Sequence, residues 1–407
     1  MTTQPNGGPR SGQQLESLRR RNAAAVLGAV RTRGPLARSE IADTTGLSPT
    51  AVTKISAALV QAGYITESTR PAEGEREPGR PRVPVELDLS RHRFIGVHIG
   101  LQRVTVGLLN LAGEVVDLKA RDHLAAPPAG VLDLARRLVA DVLTGTGGTP
   151  VLGYSACCGG WVSPDDGVVR EFTGLGWHDV PLRKALTIPG LPVPSVDSSV
   201  RALALAESRL GAARDAGNVL YLFAGNVMGS AHVLHGQIAR GRDSAAGAID
   251  HLTVGGAHGI TCVCGRTDCL AATGSDLAVT TAATDLDLLP PDAHIEDVVA
   301  LSQGSGERAA QAARLLARRA AHVGTALGML LDLYDPDIAV VGGGVRLAIE
   351  HFPEVVTAAR ARCASPHTET PVVPSALVGP SALAQGAAVP ALDAFFDDPL
   401  GAAAVAP

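Results

Sequence analysis

The sequence predicts an α/β protein in two unequal parts: a small helical head closed by a hairpin, and a larger, two-lobed α/β body with a cleft between its lobes. Three observations carry this. Residues 14–65 show apolar residues at helical spacing, interrupted by Gly34-Pro35 and by Thr45-Gly46. From Arg91 onward the pattern changes to short β-branched runs separated by glycine, which return through helical stretches. Charge divides at the same place: residues 1–90 hold 12 Lys/Arg against 9 Asp/Glu, and the remainder holds 23 against 31. A basic head on an acidic body suits a chain of which only the head meets a polyanion.

With 46% hydrophobic and 18% charged residues, the 407-residue chain has ample material for buried cores, which excludes a disordered or fibrous protein. No uninterrupted apolar run reaches the length of a membrane span, and residues 1–12 are polar and Gly/Pro-rich, unlike a signal peptide. The six cysteines do not form a secreted disulfide framework. The expected location is the cytoplasm, with no membrane partner.

In the head, a first helix is predicted over Gln14–Arg31, with Leu15, Leu18, Val26, Leu27 and Val30 as its apolar stripe. A second covers Ala37–Thr44 and ends where Gly46 can take a left-handed cap. Ser48-Pro49 supplies an N-cap hydroxyl and a proline at the first helical position. The third helix, Pro49–Ala62, buries Val52, Ile55 and Leu59 and leaves Thr50, Thr53 and Lys54 on another face. Gly63-Tyr64-Ile65 starts a strand, and residues 68–84 are rich in Glu, Gly, Pro and Arg. This is a winged helix-turn-helix pattern. The plain alternative is a three-helix dimerisation bundle, but a bundle has no need of a tight turn followed by small polar residues at the start of the last helix. In the nucleic-acid reading, Ser48, Thr50, Thr53 and Lys54 open a helix lying in a major groove, and Arg80 and Arg82 of the wing reach a narrow minor groove.

In the body, strands are predicted at Phe94–Gly100, Val104–Leu109 and from Val115, then a helix at Gly130–Leu143 and a strand at Val151–Ser155. A turn-rich stretch leads to a helix at Val200–Arg209 and a second sheet beginning at Asn218–Phe223. A long helix, Glu307–Leu333, precedes the strand Ile338–Val341 and the turn Gly342-Gly343-Gly344.

Several segments of the body resemble the ROK family of repressors, sugar kinases and open reading frames of unknown role, a likeness running along most of residues 12–395. They are VLGYSACCGGWVSPDDGVVREFTGLGWHDVPL, NVLYLFAGNVMGSAHVLHGQIARG, AAGAIDH followed by CVCGRTDCL, and DPDIAVVGGGV. A helix-turn-helix in front of such a body is the arrangement of the family's NagC/XylR-type regulators; its kinases generally lack it. The resemblance implies an actin-like, sugar-kinase-like body. Its expected division is residues 1–88 as the head, 89–200 plus 380–407 as the first lobe, and 201–379 as the second lobe with a zinc-binding loop.

Cys262, Cys264 and Cys269 lie within eight residues, and three thiolates this close suit a tetrahedral structural Zn²⁺ with one further ligand. The resemblance assigns that place to His251, although His258 is nearer in sequence; free thiols are the plain alternative.

The departures from the family pattern decide the expected activity. Where its kinases carry an Asp-x-Gly-Gly-Thr phosphate loop, this chain has His98-Ile99-Gly100-Leu101-Gln102. The kinases' Asn-Asp pair, whose aspartate is the base, falls on Ser198 and Ser199, with Asp197 nearby, and two sugar-contacting glutamates fall on Ala248 and Ala271. A serine without a neighbouring base is a poor proton acceptor. The expectation is a DNA-binding transcriptional regulator, a repressor, and no enzyme. Its effector cleft is formed by Asp197, Ser198, Ser199, Ala248, His251 and Ala271, and it takes a small-molecule or protein effector. The operator is expected to be a double-stranded inverted repeat, bound by a homodimer or a dimer of dimers.

Overall fold

The computed structural model describes residues 9–68, 83–123, 126–256 and 260–402. The head comprises α1 (Pro9–Arg33), α2 (Arg38–Thr45), α3 (Pro49–Gln61), β1 (Ile65–Glu67) and β2 (Val85–Leu87). Gly46 takes the left-handed cap after α2 at φ 69°, and the Ser48 hydroxyl accepts from the Ala51 N–H at the start of α3. The strands β1 and β2 pair antiparallel, and Leu36 bridges to Val85. The connection that carries Arg80 and Arg82 lies outside the described residues.

The apolar stripe read for α1 needs correction. Leu15 and Leu18 are exposed, because among the described side chains of α1 the buried ones begin at Ala23. Ile55, expected in the core, is only half-buried, while Ser56 is fully buried in its stead.

The first lobe follows with β3 (Arg93–Ile99), β4 (Arg103–Leu109), β5 (Val115–Asp122), α4 (Pro128–Thr144), β6 (Val151–Cys158), β7 (Trp161–Ser163), β8 (Val168–Phe172), β9 (Trp177–Val180), α5 (Leu182–Leu186) and β10 (Ser195–Ser198). After α6 (Ser199–Leu210), the second lobe contains β11 (Asn218–Ala224), β12 (Met228–Leu234), β13 (Gln237–Ile238), α7 (Leu270–Gly274), α8 (Asp276–Asp285), α9 (Ile295–Ser302), α10 (Glu307–Tyr334), β14 (Ile338–Gly343), α11 (Phe352–Arg362) and β15 (Val372–Pro374). The chain then returns through α12 (Gly379–Asp397) and α13 (Pro399–Ala402).

The two main sheets have one topology. In the first, ordered β10-β6-β3-β4-β5, the strands β3, β4 and β5 form an antiparallel meander, and β6 and β10 run parallel to β3. The second, ordered β13-β12-β11-β14-β15, repeats this with β11 in the place of β3. The segments β7, β8 and β9 form a separate three-stranded sheet within what the sequence presents as a turn-rich stretch.

Alternation along β3 sends Ile95, Val97 and Ile99 into the core shared with α4, and Phe94 and Gly96 toward α12. A Cβ at Gly96 would lie 2.5 Å from the Ala384 carbonyl oxygen, so helix and sheet meet closely only with glycine here. The helix α12 packs on β3, β6 and β4 and against α6, and α6 in turn packs on β11 and β12. Together α6 and α12 form the layer between the sheets, while α10 and α11 cover the outer face of the second.

The head is seated directly on the body. Val26, Leu27, Ile41, Val52, Leu59, Tyr64 and Val85 share one apolar core with Phe94, Leu109, Ala388, Leu392, Phe395 and Phe396. The Tyr64 and Phe395 rings meet edge-on at 4.9 Å between centroids.

Candidate functional site

Three arrangements have the chemistry of a functional site. The first is the start of α3. Ser48, Thr50, Thr53 and Lys54 are all exposed, while Val52, Ser56 and Leu59 hold the opposite face of the helix in the head. The Thr53 hydroxyl donates back to the Pro49 carbonyl at 2.8 Å, so its methyl group and not its donor is the freer contact. An N-terminal helical turn with a short polar face and one lysine can dock in a groove and position a phosphate.

The second is the cleft end of the first sheet. Asp197, next to last in β10, is almost fully buried, and both of its oxygens are engaged. Arg201, one helical turn later in α6, donates to its Oδ1 at 2.5 Å, and Arg240 donates to its Oδ2 at 2.8 and 3.2 Å. The Ser198 N–H adds a further bond to Oδ1 at 2.7 Å. Arg201 also donates to the Val162 carbonyl of β7 and to the Ser244 carbonyl of the segment after β13, each at 2.8 Å. One guanidinium thus ties the first lobe to a loop of the second. A carboxylate clamped by two guanidinium groups has its lone pairs engaged, so neither oxygen is placed to meet a substrate hydroxyl.

The other cleft positions are held around this pair. The Ser198 hydroxyl caps α6. Ser199, beside the Cys157 thiol, is buried with its Oγ lacking a hydrogen-bond partner at bonding distance. Val200 packs on Gly229 of β12, and Gly247, which precedes Ala248, accepts from the Ser230 N–H at 2.9 Å. Ala248 itself is exposed, and Ala271 is tied to Asp250 by a backbone bond of 2.9 Å. Burial pushes the Asp250 carboxyl above the ordinary range. Where a phosphate loop would stand, β3 and β4 are joined by a short turn, closed by a Gly100 N–H to Arg103 carbonyl bond of 2.9 Å. His98 is buried beneath it, its pKa lowered to about 4 by desolvation, so it is a neutral imidazole. In the second lobe, the turn at Gly344 abuts a buried pair: Arg319 donates to Asp276 Oδ1 at 2.5 Å and to the Gly274 and Ala224 carbonyls at 2.9 Å.

The third is a thiol-imidazole cluster. The ligand atoms of His251, Cys262, Cys264 and Cys269 lie within 4.8 Å of one another, with His251 Nδ1 3.4 Å from Cys262 Sγ. Backbone bonds between Gly265 and Cys262 and between Cys262 and Arg266, each 2.8 Å, fold the loop so that the thiols of buried Cys262 and exposed Cys264 converge. The Thr253–Cys269 bridge brings the third thiol in. The Arg266 backbone N–H draws the Cys264 thiol below its ordinary range, whereas burial pushes Cys262 up. A tetrahedral zinc with bonds of about 2.0–2.3 Å needs ligand atoms roughly 3.3–3.8 Å apart. The donor set and its spacing fit such an ion after small rotamer changes, and the cluster can hold a metal. His251, expected in both metal site and cleft, stands with the thiols; His258 lies outside the described residues.

The sequence places Asp197 in the cleft, and of the three groups Asp197, Arg201 and Arg240 only the last leaves no trace in it. The four-residue spacing of the first two at a helix start is a visible signal. Arg240 is 43 residues away from Asp197 and carries none.

A family model described as the ROK family matches residues 94–394. A transcriptional regulator of Mycobacterium tuberculosis is 32% identical over 399 residues, covering 93% of this chain and 87% of that protein. The DNA-binding transcriptional dual regulator NagC of Escherichia coli is 24% identical over 351 residues, covering 83% and 84% respectively. Among solved structures, a ROK family transcriptional regulator described as a homolog of the E. coli MLC protein has a TM-score of 0.75 at 23% identity, covering 94% of this chain and 97% of that one. A ROK hexokinase from Thermus thermophilus has a TM-score of 0.59 at 26% identity, covering 75% and 99%.

Proposed function

We propose that this chain, which belongs to the ROK family, is a DNA-binding transcriptional regulator, acting as a repressor, whose body senses an effector and performs no phosphoryl transfer. The observation that carries the DNA-binding part is the exposed polar start of α3 on a head whose opposite face is locked into the core. The likeness to relatives named as transcriptional regulators over most of the chain supports the same reading. Against catalysis stand the engaged Asp197, the serines at the base position and the turn at Gly100 without its acid and threonine. Phosphoryl transfer depends on positioned phosphates and an oriented nucleophile, and neither device is present in these residues.

In this reading residues 1–88 form the DNA-binding unit, 89–200 plus 380–407 the first lobe and 201–379 the second. Ser48, Thr50, Thr53, Lys54, Arg80 and Arg82 meet the operator. His251, Cys262, Cys264 and Cys269 hold one structural zinc, and the protein acts as a homodimer on an inverted repeat. Free hexoses bind weakly, because Ser198, Ser199, Ala248 and Ala271 supply no carboxylate to accept sugar hydroxyls. The effector is larger, less polar or a protein. Genome-wide mapping of bound DNA, combined with a phosphotransfer assay on common hexoses, tests the reading. Discrete sites and no sugar phosphorylation are expected; ATP-dependent sugar phosphate formation, abolished by Asp197→Asn, would overturn it.

A further inference from the structure

We propose that Asp393, on α12, is the positioning residue through which movement of the second lobe reaches the DNA-binding head. The proposal rests on the reading above only in calling the head the DNA-binding unit.

The Asp393 carboxylate is shared between two arginines that come from different parts of the molecule. Arg209, in the last turn of α6, donates to Oδ1 at 2.7 Å and to Oδ2 at 2.9 Å. Arg31, in the last turn of α1, approaches Oδ1 at 3.7 Å, and its guanidinium lies 4.2 Å over the Phe396 ring. Arg209 makes one more bond, from Nη2 to the Gly236 carbonyl at 3.3 Å, in the turn between β12 and β13. One carboxylate therefore joins the head, the interlobe helix and a turn of the far lobe.

The surroundings make the sharing consequential. The side chains of Arg31 and Asp393 are about five-sixths buried, where charges interact through less water than at a surface. Burial works against the Arg31 charge, Asp393 favours it, and Arg209 and Arg214 oppose it. The nearby Asp397 carboxyl is pushed up by burial and by Asp393. A second tie between head and body, Arg20 to Asp398 at 3.0 Å, is well exposed and worth little.

A turn of the second lobe moves Gly236 relative to α12. Arg209 either follows, loosening its paired bonds to Asp393, or lets go of Gly236 and tightens them; in both cases the hold on Arg31 changes. The opposite end of α6 carries Ser199 and Arg201, so an occupant of the cleft acts on the same helix. This is coupling through a shared electrostatic partner, with the two-state element being the interlobe angle.

The test perturbs the far end and reads the near one. Gly236 has φ 76°, and a Cβ there would lie 2.8 Å from Arg209 Nη2, so Gly236→Ala displaces the guanidinium from the second-lobe side without touching the head. Hydrogen exchange of residues 28–33 is measured on the full-length protein in the wild-type, Asp393→Asn and Arg209→Gln backgrounds, each with and without Gly236→Ala. We expect Gly236→Ala to change exchange of this segment about fivefold or more in the wild type and to add nothing in either other background. No change in the wild type, or equal changes in all backgrounds, would overturn the proposal. Arg209→Gln keeps the test intact if Asp393→Asn does not fold. DNA binding of the same samples is recorded separately: its absence in the wild type would refute the proposed function and leave the exchange result standing.

Discussion

The two lobes repeat one strand topology, and each buries one carboxylate–guanidinium pair at the cleft end of its sheet, but the pairs are wired differently. In the second lobe, Arg319 and Asp276 are closed on themselves: the remaining bonds of Arg319 go to Gly274 and Ala224 of the same lobe. In the first, Arg201 leaves Asp197 to reach the Ser244 carbonyl, and Arg240 comes back across to Asp197. The same pair of residue types is a local fastener in one lobe and an interlobe tie in the other. What a buried ion pair connects is thus set by its secondary partners: Arg201 and Arg240 link Asp197 to a loop of the other lobe, whereas Arg319 stays within its own.

The comparison predicts distinct consequences. Arg319→Met leaves Asp276 buried without its counter-charge and should cost about 3–5 kcal/mol of stability in denaturant unfolding. Because the pair is local, exchange of the head should not change; altered head exchange in a still-folded variant would break the distinction between the lobes.

The first lobe should also be acid-sensitive. His98 has its folded pKa lowered to about 4 by burial, below its ordinary 6.5, so the unfolded chain takes up the proton first. Its contribution is fully present above pH about 6.5 and is lost as pH falls toward about 4, a change of up to roughly 3 kcal/mol. His98→Leu should flatten that part of the stability profile; an unchanged slope between pH 7 and 4.5 would remove His98 as its source.

Smaller effects sharpen the contrast. Lys54→Ala should weaken DNA binding and reduce the salt dependence by about one counterion, as read from a salt titration of affinity. Arg240→Ala should cost about 1 kcal/mol or less, since its side chain is 40% exposed and Arg201 still neutralises Asp197. Its effect should appear as faster proteolysis of residues 239–250, the loop it ties down. Protection equal to the wild type would deny Arg240 a part in the tie.

Much of this was legible in the sequence because it depends on local signals. Gly46, Ser48 and Pro49 fix the turn and the start of α3 by backbone rules that act within a few residues, and the cysteines of the metal cluster lie within one loop. The stripe on α1 misled at Leu15 and Leu18, since helical spacing identifies a face but not how far along it other elements pack. The partnership of Arg240 with Asp197, and of Arg31 and Arg209 with Asp393, joins residues 43 to 362 positions apart, and the three-stranded sheet of β7, β8 and β9 is built of strands too short to show a period. Long-range charge pairing leaves no pattern in the chain; it exists only once the fold has brought the ends together.

Readout of DNA through the start of α3 is tested by footprinting the full-length protein on fragments recovered by genome-wide mapping, beside a Thr50→Ala/Lys54→Ala variant of equal thermal stability. The expected result is discrete, twofold-symmetric protection by the wild type that is lost or made indiscriminate in the variant. Identical footprints from both proteins, or no discrete protection from either, would contradict it.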